Sequence, residues 1–278
     1  HDVSVDIVEQ MLAQNPDAIT WTGREGPYGM ISWWPTSLYA NNEDPHLGNA
    51  DVRLAISRYL DREVIMDFGY NNQAVLAEWP FPPYAGLQDT IENLQDLKAQ
   101  YEPTMYNSDE ADQLLTDAGY AKDSDGFWAD ASGERIGCNL VSLPHFADMG
   151  PVVAELLRQH GIDSSYEQPT DAVDQLISGD YQCSFFGHGG SQSGDIYQTL
   201  LLYTTDHPSN YANYANSEYD AVVAELAQAA DLETVRSLEQ QAMEIWLQDM
   251  PDIPLLQFFN CVGRNTHYWT NYPTTENP

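Results

Sequence analysis

Positive charge is scarce in this sequence. Its 278 residues hold ten lysines and arginines against 43 aspartates and glutamates, a formal net charge of −33. That balance excludes a nucleic-acid partner, whose phosphates would be repelled, and disfavours an anionic membrane surface or a strongly anionic ligand. It fits an acidic periplasmic protein or one from a saline habitat. Long apolar runs are absent too: no stretch of 18 such residues occurs, so no segment reads as a membrane-spanning helix. The first ten residues lack the charged–apolar–small order of a secretory leader and read as the middle of a domain. Thr274–Pro278 brings no closing element, and the expectation is a piece of a longer chain. Cysteine is sparse. Cys138, Cys183 and Cys261 are odd in number, widely spaced and without a C-x-x-C pair, which leaves a zinc or redox motif unsupported. At most one internal disulfide can form, and buried free thiols are the expected state.

Against that background, three arginines within ten positions stand out: Arg53, Arg58 and Arg62. The apolar residues Val52, Ala55, Ile56, Tyr59, Leu60 and Val64 recur at three- and four-residue steps, which predicts one amphipathic helix over residues 51–65, capped by Asn49 or Asp51. In a chain this short of cations, the arginines are expected to brace acidic loops rather than touch a ligand. Pairs of Arg58 with Asp61, or of Arg62 with the neighbours of Glu63, would be exposed and weak.

The rest of the chain alternates. Helices are predicted over residues 3–14, 90–101, 106–120, 149–162, 171–177, 221–230 and 232–250, and strands over 18–21, 136–143, 165–168, 181–186 and 252–259. The strand–helix–strand–helix–strand order of residues 136–186 predicts an α/β lobe. Two aromatic stretches break the pattern. One holds Tyr28, Trp33, Trp34 and Tyr39 among Gly and Pro; the other is the Pro-rich Trp79–Gly86, a crossing loop. Trp and Tyr there either stack on a ligand or fill a core.

The strand ending at Phe186 runs into Gly187-His188-Gly189-Gly190-Ser191-Gln192-Ser193-Gly194. Bare backbone at the C-terminal end of a strand is where α/β folds hold ligands. A nucleophile elbow does not fit its spacing, and Gln192 stands where a dinucleotide fingerprint needs its last glycine. What remains is a polar loop able to hydrogen-bond a neutral ligand, or a plain turn. The aspartates of Asp123-Ser-Asp-Gly-Phe-Trp128 invite a calcium loop, yet Trp128 occupies the position at which an EF-hand needs glycine. No metal, cofactor or catalytic residue is assigned.

Several of these stretches resemble one family in order. The arginine helix is similar to a "D-x-x-V-R-x-A-I-x-x-A-I-D-R" helix. Residues 106–133 resemble "Y-x-x-x-x-A-x-x-L-L-x-x-A-G-y … D-G-x-x … G". Asn210-Tyr211 to Asp220 and Asp252 to Leu255 resemble "N-Y-x-x-Y-x-N-x-x-y-D" and "D-x-P-x-I-P-L". Together they cover roughly residues 45 to 260 and resemble the extracellular solute-binding proteins of the dipeptide/oligopeptide type, the ligand-capturing subunits of ABC importers (family 5). The Gly187–Ser191 loop and the Tyr268–Pro278 tail look most like its oligosaccharide-binding branch, such as that for cello-oligosaccharides.

The resemblance implies two α/β lobes that close on ligand by hinge motion. Residues 1–40 would be the remnant of the first lobe and a hinge crossing, 41–255 the second lobe, and 256–278 the return crossing and tail. The crossings are expected near residues 31–40 and 255–261, with most of the first lobe outside this chain. The implied function is capture of a neutral oligosaccharide by Trp33, Trp34, Tyr28, Gly187, His188, Gly189, Gly190, Ser191 and Trp269. Trp33, Trp34 and the Gly187–Ser191 loop should face one open concavity. The implied partner is a membrane permease, the location periplasmic or extracellular with an anchor in the missing N-terminal part, and the state a monomer. Oligopeptide binding is the alternative, with Arg24 or Arg264 as the anchors a peptide carboxylate would need. A glycosidase using paired carboxylates is a second alternative, fixed by no local motif, and a structural or adhesion domain a third.

Overall fold

A computed structural model describes residues 5–70, 72–187 and 195–275. The chain opens with α1 (Val5–Gln14), β1 (Ala18–Ile19), β2 (Met30–Ile31) and β3 (Thr36–Ala40). Helices α2 (Ala50–Tyr59) and α3 (Arg62–Tyr70) follow, then β4 (Ala74–Leu76), α4 (Gln88–Asn93), α5 (Gln95–Tyr101), α6 (Ser108–Asp117) and a small hairpin of β5 (Ala121–Lys122) and β6 (Trp128–Ala129). The parallel part comprises β7 (Leu140–Val141), α7 (Met149–Gln159), β8 (Tyr166–Glu167), α8 (Ala172–Ser178) and β9 (Cys183–Phe186). The chain closes with α9 (Tyr197–Leu201), α10 (Ser217–Leu226), α11 (Leu232–Asp249), β10 (Ile253–Asn260) and β11 (Arg264–Asn265).

These elements build a mixed sheet flanked by helices, the α/β lobe expected from the alternating pattern. Its strand order is β2-β10-β3-β9-β7-β8, with β4 also on β10. β7 runs parallel to both β8 and β9, while β3 is antiparallel to β9 and β10. Every residue of β3 is buried, as suits a central strand covered on both faces. One large core, containing Leu38, Ile56, Leu140, Phe185, Trp246 and Leu256, lies between sheet and helices. A second, small core of Val8, Leu12, Ala18 and Cys261 ties α1 to the end of β10, and β1 pairs with β11 beside it.

The arginine stretch forms two helices rather than one. Asp61 breaks it: its Oδ1 accepts from the amides of Glu63 at 3.0 Å and Val64 at 3.3 Å, so it acts as an N-cap where the periodicity alone runs on. Asn49 caps α2 by accepting from the Asp51 amide at 2.9 Å. The predicted helix over residues 90–101 likewise divides at Leu94 into α4 and α5, and of the predicted strand 136–143 only Leu140–Val141 is laddered.

The arginines do brace the lobe, but through carbonyls instead of acidic loops. Arg53 donates to the carbonyls of Asp249, Met250 and Leu47 at 2.5–3.1 Å, closing the C-terminus of α11. Arg58 donates to those of Tyr101 and Glu102 at 2.8 Å, closing α5. Its Nε also lies 3.2 Å from the Glu110 carboxylate, an ion pair without hydrogen-bond geometry, and not the Asp61 pair that spacing suggested. Arg62, 2% exposed, donates to the carbonyls of Pro254 at 2.9 Å and Ser57 at 3.1 Å and to Ser57 Oγ at 2.9 Å. A cation at a helix C-terminus meets unpaired carbonyls and the negative end of the dipole. Burial pulls Arg53 down to about 10 and Arg62 to about 9, so both stay charged at neutral pH.

Two of the three cysteines are not free thiols. Cys138, just before β7, is bridged to Cys183 at the start of β9, with Cα atoms 5.3 Å apart; the pair meets only because β7 and β9 are sheet neighbours. Cys261 is buried outside the bridge.

Candidate functional site

The edge where β2 crosses β10 is held by amides. Gln257, fully buried, donates through Nε2 to the carbonyls of Ser32 at 3.2 Å, Trp34 at 3.3 Å and Phe258 at 3.0 Å. Asn260 donates to Ser32 Oγ at 3.3 Å. The strands approach so closely that a Cβ on Gly29, whose φ is +110°, would stand 2.3 Å from the Asn260 carbonyl oxygen.

This fixed crossing turns the aromatic stretch outward. Trp33 is 51% exposed and forms one wall of a groove of about 560 Å³, lined also by Trp21, Met30, Ile31, Tyr84, Ala85 and Asn260. Among the described residues that line it, none carries a charge. Tyr84 donates its hydroxyl to the Ser32 carbonyl at 3.2 Å, which fixes the ring against the crossing, and burial raises its pKa. Arg264 lies over the Trp21 ring, 5.6 Å from its centroid. The surface can stack an apolar or sugar face and hydrogen-bond through an amide.

Trp34 faces the other way. Its ring is half-buried between Phe186, Phe258 and Phe146, at centroid distances of 5.2, 5.6 and 6.2 Å, and touches Trp33 at 5.8 Å. Gly187 closes this cage. A Cβ there would stand 1.8 Å from the Pro35 carbonyl oxygen and 2.3 Å from the Trp34 ring, so no larger residue fits. Of the expected site residues, Trp33, Trp34 and Gly187 are therefore contiguous, but Trp33 alone of the three lines the groove: Trp34 packs behind it, and Gly187 packs against Trp34. His188, Gly189, Gly190 and Ser191 lie outside the described residues. Tyr28 packs against the small core and does not line the groove. Trp269 is 74% exposed in the tail and is not a wall of it either.

Trp21, Tyr84 and Asn260 are groove residues that the sequence did not single out. Tyr84 sits in the Pro-aromatic loop, where Trp79 and Phe81 stack inside the core at 6.1 Å; the sequence marks the loop as aromatic but does not separate its presented ring from its buried ones.

Both candidate carboxylate anchors are engaged in the fold. Arg24 donates to the carbonyls of Leu12 at 2.5 Å and Ala18 at 2.6 Å, holding α1 to β1. Arg264 donates to the Pro273 carbonyl and stacks on Trp21 and Tyr272. The Asp123 cluster is likewise occupied: Arg135 reaches Asp123 and Asp125 at 2.6 Å each, and Asp123 Oδ1 accepts from the amides of Asp125 and Phe127. The asparagines of the 210–216 motif build turns. Asn210 donates to the Tyr214 carbonyl at 2.7 Å, and Asn216 caps α10.

Comparison with known proteins places these features. The periplasmic oligopeptide-binding protein OppA of Haemophilus influenzae is 26% identical over 236 residues, which is 81% of this chain and 40% of that protein. Heme-binding protein A of the same organism is 27% identical over 220 residues, 77% of this chain and 38% of that one. The chain thus spans about two-fifths of the length of the curated relatives it matches. Among solved structures, the mannohexaose-bound periplasmic oligopeptide-binding protein of Thermotoga maritima superposes with a TM-score of 0.81 at 22% identity, over 100% of this chain and 53% of that one. The model of the bacterial extracellular solute-binding proteins, family 5, middle region, matches residues 4–211. With three-quarters of its length under that match and the same lobe fold, the chain belongs to the family 5 bacterial extracellular solute-binding proteins.

Proposed function

We propose that this chain is the second-lobe part of an extracytoplasmic solute-binding protein that delivers ligand to an ABC-type permease, and that the ligand is a neutral oligosaccharide. The observation that carries the sugar is the exposed Trp33 ring in an uncharged, aromatic-walled groove. The C–H faces of a sugar stack on such rings, and its hydroxyls suit the nearby amide of Asn260. The lobe runs from β3 through β10, whose strands lie inside its sheet, the residues before β2 and after β10 lead toward the other lobe, and β2 and β10 are the crossings. The groove at that crossing is then half of a cleft whose other wall lies in sequence beyond this chain. Trp33 and Tyr84 contact the ligand, while Trp34, packed against Trp33, and Gly187, packed against Trp34, hold that wall in place. The Cys138–Cys183 bridge fits an oxidising location outside the cytoplasm. The protein binds and does not catalyse, acts as a monomer, and takes no nucleic acid.

Oligopeptide binding is the second reading, favoured by the relative named for that ligand. Among the described residues it lacks a cation for the peptide carboxylate in the groove, because Arg24 and Arg264 are held by backbone carbonyls. The test is a thermal-shift panel on the chain rejoined to its other lobe, with mannan and cellulose oligosaccharides in one arm and short peptides in the other. A ligand at about 100 times its Kd adds about 2.7 kcal/mol. Stabilisation by oligosaccharides alone supports the proposal; stabilisation by peptides alone overturns the ligand and keeps the family.

A further inference from the structure

Apart from the residues that line the groove, three side chains from two distant segments converge. His46 lies in the turn before α2, which is fixed by Asp44: its Oδ1 accepts from the amides of His46 at 2.9 Å and Leu47 at 3.0 Å. The ring is 7% exposed. Its Nδ1 lies 3.1 Å from Tyr120 Oη, with the two rings edge-on at 5.6 Å. Its Nε2 is buried and has no hydrogen-bond partner among the described residues. Asp130 and Glu134 come from the tight loop after β6. There Asp130 Oδ1 accepts from the Ser132 amide at 2.9 Å, Ser132 Oγ at 2.7 Å and the Glu134 amide at 2.9 Å. The loop is thereby shaped in advance, and Oδ2 of Asp130 and the exposed carboxylate of Glu134 take no part in these bonds. One ligand atom each from His46, Asp130 and Glu134 lies within 4.8 Å of the others.

We propose that His46, Asp130 and Glu134 form a binding site for a divalent transition-metal cation of the zinc type. A buried imidazole nitrogen without a partner is costly, and two carboxylates held beside it in a chain of net charge −33 add repulsion. A dication answers both at once, and its charge balances the two carboxylates. When Nδ1–H donates to Tyr120 Oη, Nε2 carries the lone pair, the tautomer that a metal requires; tyrosine is then the outer partner that fixes the ring. One imidazole and two carboxylates favour zinc, cobalt or nickel over calcium and magnesium, which take oxygen ligands. Bonds of about 2.0–2.2 Å in a tetrahedral site hold ligand atoms about 3.3–3.6 Å apart. Glu134, exposed and free to change rotamer, supplies that closure, and a fourth position remains for water.

The test is calorimetric titration of the chelator-stripped chain with Zn²⁺ in about 1 mM Mg²⁺, which fills oxygen-only surface sites. The variants are Glu134→Gln, at an exposed position that leaves the fold intact, and Glu9→Gln on α1 as a control. One Zn²⁺ per chain, weakened at least about tenfold by E134Q and unchanged by E9Q, is the expected result. Absence of saturable binding below about 100 µM, or an E134Q loss smaller than tenfold, overturns the proposal. Co²⁺ in place of Zn²⁺ should give a visible d–d absorption that E134Q diminishes, and a cobalt spectrum identical in wild type and E134Q overturns it equally.

Discussion

Asp252 offers the sharpest quantitative test of how this lobe is held together. It stands at the start of β10, 1% exposed, with Tyr203 donating to its Oδ2 at 3.0 Å. Burial is the largest influence and pushes its pKa up to about 7, while the Tyr203 hydrogen bond pulls the other way. In the unfolded chain the same carboxyl titrates near 3.9. Between these values the folded state holds a proton that the unfolded state has released. Stability from this group is therefore complete below pH about 4, falls by about 1.4 kcal/mol per pH unit, and is lost by the time pH passes 7. The difference of about three units corresponds to about 4 kcal/mol. Many surface carboxylates titrate over the same range, so the quantity to measure is a difference. Urea unfolding of the wild type and Asp252→Asn, followed by tryptophan fluorescence from pH about 4 to about 8, isolates it. The stability of D252N relative to wild type should climb by about 4 kcal/mol across that range, whatever constant offset the amide introduces. A relative stability that changes by less than about 1 kcal/mol would refute the assignment of a raised pKa to this buried carboxyl.

Three further outcomes are expected. Reducing the Cys138–Cys183 bridge, which closes a separation of 45 residues, should lower stability by up to about 4 kcal/mol, read as a drop in the urea midpoint with dithiothreitol; an unchanged midpoint contradicts it. Gly187→Ala should cost about 1–3 kcal/mol, because the Pro35 carbonyl and Trp34 ring leave no room for a methyl, and near-UV circular dichroism should report the disturbed Trp34 cage. Trp33→Ala in the rejoined two-lobe protein should weaken oligosaccharide binding about tenfold to a hundredfold, by analogy with the about 1–3 kcal/mol that base stacking on an aromatic contributes, while leaving the melting temperature nearly unchanged, since half the ring is already in water. Equal affinity for both proteins would remove Trp33 from the site.

Local pattern carried the lobe. The β7–α7–β8–α8–β9 order follows from periodicity and from Gly and Pro punctuation, and these units are legible because each is shaped by its own residues. What failed to show is what depends on distant partners. Asp61 fits inside a helix or at its cap, and only the burial of Arg62 against the Pro254 carbonyl decides for the cap. Cys138 and Cys183 pair because two strands 45 residues apart become neighbours, which spacing cannot reveal. The candidate site divides the same way. Trp33 stands out as an aromatic among helix breakers, but the groove also draws on positions 21, 84 and 260, and that convergence exists only in three dimensions. His46 carried no signal at all, being one histidine in a polar turn.

The placement of the arginines has a consequence for ionic strength. In many acidic proteins, cations and carboxylates hold each other on the surface, and added salt loosens them as the screening length falls from about 10 Å at 0.1 M to about 3 Å at 1 M. Here Arg53 and Arg62 sit in the interior and hold neutral carbonyls at contact distance, beyond the reach of mobile ions. Added salt thus quiets the mutual repulsion of the acidic exterior and leaves these two clamps untouched. The exterior can therefore become more or less acidic without disturbing the clamps on which the helices close.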